Sequence, residues 1–278
     1  MSPDASWTWA PGVILAVLGA GAIYFVRWRA ARRAQSGAPP SVWRLVSFGA
    51  GMLAVAAALI SPLDRLSEQL LVMHMVQHVL LLDVVPILLL LGLTRVLLRP
   101  ITRRTAPIER RAGFLAHPAF AIVFYAGAMF LWHVPALYDS ALRHEGVHVL
   151  EHLTFSAAGG LYWWHLLSPV RGRLRLGGLG PAAYMASTKL LVGALGIILT
   201  FAPSALYAFY SDAPRYWGLS ATDDQSIAGL VMALEQSITM GIALAWLFAR
   251  MLGESEREEV RAERFAGVDS GQGTVDSG

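Results

Sequence analysis

Five histidines, His74, His78, His133, His148 and His152, have the residue type and spacing of metal ligands. Four of them form two H-x3-H pairs, 74/78 and 148/152. That spacing puts both imidazoles of a pair on one face of a helix. Four of the chain's eight histidines fall within "WHVPALYDSALRHEGVHVLEH", residues 132–152. Imidazole suits copper, zinc, iron and nickel, and thioether sulfur selects Cu(I). Met73, Met75 and Met129 lie within one turn of these histidines, and Glu151 adjoins His152, where a carboxylate can orient a ligand. Two facing H-x3-H pairs can also hold haem between their helices. A single histidine in a membrane helix is commonly an interhelical hydrogen-bonding group. Five converging on one place is a different matter. The chain has no cysteine, so disulfides, zinc ribbons and CxxC copper or redox sites are excluded.

The elements that position these residues are apolar helices. Of 278 residues, 55% are hydrophobic and 15% charged, against roughly 25% charged in soluble domains. Seven segments, 10–26, 44–61, 69–93, 118–138, 146–167, 182–203 and 226–250, have the length to cross a bilayer core of ~30 Å. The sequence therefore predicts an all-α polytopic membrane protein, a bundle of seven transmembrane helices spanning residues 1–250. A polar tail, 251–278, is expected to be cytoplasmic and largely without structure. The first apolar run is followed, not preceded, by arginines (Arg27, Arg29, Arg32, Arg33), which reads as a retained span rather than a cleavable signal. Arginines concentrate after spans one, three and five and in the tail. By the positive-inside rule this places the N-terminus outside and the C-terminus in the cytoplasm. The basic pI of about 9.4 comes from these loops and not from a continuous basic face, so no nucleic-acid partner is expected. With this topology all five histidines lie ~1–2 helical turns below the outer surface, on the third, fourth and fifth spans.

Other polar residues fall within the spans. Asp83 and Lys189 are expected at similar depth in the inner half and are candidates for a structural ion pair. Glu235 is placed to face the histidines or a neighbouring helix. Asp223 and Asp224 precede the last span, where they serve either to attract a cation or as an acidic helix start. Pro86, Pro135 and Pro203 mark kinks or helix ends. Trp132, Trp163, Trp164 and Trp217 fit an interfacial aromatic belt.

Four stretches resemble a known family. "MHMVQHVLLLDVVPILLLLG" (73–92), "LWHVPALYDSALRHEGVHVLEHLTFSAAGGLYWWHLL" (131–167), "TKLLVGALGIILTFAPSALYAFY" (188–210) and "DDQSIAGLVMALEQ" (223–236) are similar to the cytochrome c oxidase caa3-type assembly factors. The W-H-x-P and E-H motifs are the most specific part, and the likeness covers about residues 10–250. The resemblance implies a seven-span protein of the bacterial plasma membrane, not an enzyme, that delivers copper to an oxidase subunit in the same bilayer. Carried over by position, its motif histidines are His74, His78, His133, His148 and His152, with Glu151 beside the last. The alternatives are an intramembrane haem- or iron-binding protein, either an electron carrier or a di-iron hydroxylase, and a copper transporter. Membrane hydroxylases usually carry H-x2-H-H boxes, which this chain lacks.

Overall fold

The computed structural model describes residues 1–34, 39–99, 113–170 and 176–272. Arg103, Arg104, Arg110, Arg111, Arg171, Arg173 and Arg175 of the basic connections lie outside the described residues. The described residues form helices and no strand. In chain order these are α1 (Pro11–Arg33), α2 (Val42–Leu59), α3 (Pro62–Ser67), α4 (Leu71–Val79), a π turn (Leu80–Val84), α5 (Val85–Gly92) and a 3-10 turn (Gly113–Ala116). They continue with α6 (Pro118–Trp132), α7 (Pro135–Arg143), α8 (Glu145–Leu167), α9 (Gly180–Phe201), α10 (Ala208–Asp212) and α11 (Ala221–Gln272).

Five helical stretches are long and apolar enough to cross a membrane: α1, α2, the run from α4 through α5 (Leu71–Gly92), α9, and the first part of α11. The bent pair α6–α7 makes a sixth if it counts as one span. One expectation is thereby corrected, and a second segment is not among these stretches. The fourth apolar segment is not one helix over 118–138, because the chain bends by 76° between Trp132 and Pro135. Proline disfavours helical backbone in the residue before it, and Val134 accordingly sits at φ −64°, ψ 123°. The fifth, α8, has 23 residues and ample length, but Glu145, His148, Glu151, His152 and His165 keep it less apolar than the other candidates. The residues that make α8 interesting also make it a poor span by composition. Helix α11 runs on through the polar stretch to Gln272, where the composition had suggested little order.

The run from α4 to α5 is the central element, with 56% of its most apolar window buried, against 11% for α1 and for α2. Leu15, Leu18 and Ile23 of α1 and Leu53 of α2 are exposed, as lipid-facing residues are. Within the central helix, Pro86 has no N–H to give the Leu82 carbonyl, so the regular ladder breaks and the chain passes through the π turn. Gly159 of α8 lies against that carbonyl; a Cβ there would overlap Leu82 O. This contact holds the two histidine-bearing helices side by side. Helices α9 and α11 approach each other in the same way, with Gly229 against the Thr200 backbone and Gly196 against Gly229 O.

Two polar anchors hold α4, which opens without a side-chain cap of its own. Asp224 of α11 accepts from Leu71 N (2.7 Å) and Val72 N (3.0 Å), satisfying two of its unpaired N–H groups. Gln77 donates to Ala58 O and to Asp64 Oδ1, tying α4 to α2 and α3. An amide can accept at only one of its two positions, so Asp224→Asn is expected to cost about 2 kcal/mol. A lowered unfolding temperature of the purified protein in detergent checks this, and an unchanged one contradicts the capping role.

Candidate metal centre

The two H-x3-H pairs face each other across the α4–α8 interface. Ring centroids are 4.2 Å apart within each pair, His74 with His78 and His148 with His152. Between the helices they are 5.3 Å apart for His74–His148 and 5.6 Å for His78–His152. Glu151 lies between them with no exposed surface, its carboxylate oxygens 3.8 Å from His74 Nε2 and 3.7 Å from His78 Nε2. Ligand atoms of His74, His78 and His152 all fall within 4.8 Å of one another, as do those of His74, His148 and Glu151.

The hydrogen-bond state of these atoms decides between structural and ligating roles. His74 Nε2, both ring nitrogens of His78, His148 Nε2, His152 Nε2 and both oxygens of Glu151 are buried without a hydrogen-bond partner. Leaving one such group unpaired costs ~1–3 kcal/mol. Seven in one place are not there to join helices by hydrogen bonds. A cation coordinated among them satisfies imidazole lone pairs and carboxylate at once, so the residues fit a metal ion.

His74 shows how a candidate ligand is oriented. Tyr210 OH lies 3.2 Å from His74 Nδ1 and also donates to Ser67 O. Since its single proton goes to the carbonyl, His74 Nδ1–H donates to the phenol oxygen, and Nε2 presents its lone pair to the cluster. Tyr138 packs over the same ring at 5.2 Å. Tyr210→Phe is expected to weaken metal binding about 10-fold or more, as loss of a ligand-orienting hydrogen bond does. Competition against a chelator of known affinity measures it.

Several expected residues are placed elsewhere. His133 is buried and lines a small cavity with His78, but it is in neither of the two close ligand groups. Its Nδ1 is 2.6 Å from Met129 O and its Nε2 3.5 Å from Met75 Sδ. Met73 packs half-buried against the apolar core. Asp83 and Lys189 do not form the expected ion pair. Asp83 instead accepts from Tyr125 OH (2.8 and 2.9 Å), Trp163 Nε1 (2.7 Å) and Gln236 Nε2 (3.4 Å), which leaves its carboxylate no need of a cation. Trp163 is fully buried in this role and is no part of an interfacial belt. Asp223 closes a capping box with Ser220, so the acidic-helix-start reading holds for it. Glu235 lines a small cavity with His78 and His133, and neither of its oxygens has a well-formed hydrogen bond. Sequence reasoning missed Tyr210 and the Asp83 partners Tyr125 and Trp163. Only their aromatic type signalled them, and Tyr125 lies in the middle of α6.

Fold and site together define a helical protein with membrane-length apolar helices and a buried histidine–carboxylate cluster. A family model, cytochrome c oxidase caa3 assembly factor, matches residues 22–254, and the chain belongs to that family. Among curated proteins it is similar to an uncharacterised protein of Mycobacterium leprae, 26% identical over 92% of this chain and 40% of the relative. It is also similar to uncharacterised proteins of Mycobacterium bovis and Mycobacterium tuberculosis, each 24% identical over 94% of this chain and 40% of the relative. The chain thus spans about 40% of the length of these relatives. No solved structure matches it.

Proposed function

We propose that this protein is a non-catalytic assembly factor of the bacterial plasma membrane. It binds copper at the His74, His78, His148, His152 and Glu151 cluster and passes it to a subunit of caa3-type cytochrome c oxidase. Family membership supports the oxidase partner. The observation that carries the copper reading is the set of unpartnered imidazole and carboxylate atoms buried between α4 and α8. In this reading copper is cargo. Four histidines and a carboxylate exceed the needs of one ion, so ligands can exchange one at a time while a partner's ligands take over. We read α8 and the bent α6–α7 as further membrane elements, completing seven spans with the N-terminus outside. This sets the cluster near the outer face, where Asp223 and Asp224 border the entrance.

The test is oxidase activity in cells whose own copy is replaced by His148→Ala with His152→Ala. Loss of caa3-type oxidase activity, with the variant present in the membrane at the normal level, is the expected result. Normal oxidase in that strain sinks the proposal.

A further inference from the structure

His133 is in neither close ligand group of the other four histidines and has a different companion. Its Nδ1 lies 2.6 Å from the Met129 carbonyl oxygen, which can only accept. The proton of the neutral ring is therefore on Nδ1, and Nε2 carries a lone pair. That lone pair points at Met75 Sδ, 3.5 Å away, and a thioether sulfur also offers lone pairs and has no proton to give. An imidazolium would supply a second proton, but among the described residues no carboxylate lies within ion-pair distance of His133. Two electron-pair donors thus converge with nothing between them. An N–H donated to a backbone carbonyl is also how metal-bound histidines are held in the ligating tautomer. Both side chains are almost fully buried, His133 at 5% exposure and Met75 at 1%. Both line a small cavity with room on the order of one water-sized particle. Met129, Met232 and Glu235 line it too, as does His78, whose ring also packs against His74 and His152 of the main cluster.

We propose that His133 Nε2 and Met75 Sδ, with a further thioether from Met129 or Met232, form a second metal site specific for Cu(I). Thioether sulfur discriminates toward cuprous ion and against Zn(II) and Cu(II), whereas the imidazole–carboxylate cluster does not. His78, common to the cluster and the cavity wall, makes the two sites neighbours and gives the cuprous ion a second place to rest deeper in the helix bundle. The proposal rests on the copper reading above for the identity of the metal; its donors are otherwise its own.

The test is X-ray absorption at the copper edge on the purified full chain, loaded anaerobically with Cu(I) alone. Three samples are compared: wild type, Met75→Leu, and His148→Ala with His152→Ala. Leucine matches methionine in bulk, so Met75→Leu is expected to remain folded, checked by circular dichroism. The expected result is a sulfur shell around Cu(I) in wild type and in the double-histidine variant, absent in Met75→Leu. Bound Cu(I) falls from about two per chain to about one in Met75→Leu. Absence of sulfur around Cu(I) in wild type, or an undiminished sulfur shell in Met75→Leu, overturns the proposal. Sulfur-bound Cu(I) in a wild type that takes up no Cu(II) leaves this site standing and removes the four-histidine reading instead.

Discussion

Glu151→Gln is expected to lower copper affinity by on the order of a hundredfold or more while leaving the metal-free protein as stable as wild type, or more so. The two effects have opposite signs for one reason. Glu151 is wholly buried, accepts no hydrogen bond, and has His74 and His78 nitrogens at 3.8 and 3.7 Å. Without a cation the carboxyl is a desolvated group with no donor, and replacing it relieves that cost. With a cation it is the anion that offsets the charge, and glutamine cannot replace it. Thermal unfolding in detergent with and without copper reads both effects. Copper at about 100 times its dissociation constant stabilises the wild type by ~2.7 kcal/mol, and most of that increment is absent in the variant. An equal copper-induced shift in both proteins contradicts a ligating role for Glu151.

Gly159→Ala is expected to prevent accumulation of folded protein. The new methyl group would overlap Leu82 O and lie 2.7 Å from Leu82 C, both backbone atoms of the π turn. A rotamer change cannot relieve a clash with backbone, so α8 and the central helix must move apart, at a cost on the order of 4 kcal/mol. The same displacement separates His148 and His152 from His74 and His78. Gly160→Ala is the control: nothing lies within 4 Å of its added carbon. Membrane levels and unfolding temperatures of the two variants are compared directly. A Gly159→Ala protein that matches Gly160→Ala contradicts the close approach.

The helices and the histidine faces were legible because they depend on local pattern. Runs such as 182–203 carry their apolar character in composition, and α9 forms over Gly180–Phe201. The two H-x3-H pairs needed only helical periodicity to be placed on single faces, and they do face each other. What failed depended on direction around a helix axis or on bends. Depth along a span paired Asp83 with Lys189, but depth says nothing of azimuth. Asp83 turns toward Tyr125, Trp163 and Gln236, which come from three other helices. Pro135 signalled a kink, but not its 76° angle or that the His133 ring lies against Met75. Asp224 had the look of a helix start, while its hydrogen bonds reach Leu71 and Val72, about 150 residues away. Local pattern carries no information on contacts of that range.

The most direct measurement is a Cu(II) titration followed by electron paramagnetic resonance on detergent-purified protein, wild type beside His148→Ala with His152→Ala. An optical spectrum of the same samples tests for haem. The account predicts about one Cu(II) per chain with nitrogen ligands in wild type, none at that site in the folded variant, and no Soret band in either. A wild type that binds no Cu(II), or a spectrum unchanged by the double substitution, contradicts copper binding between α4 and α8.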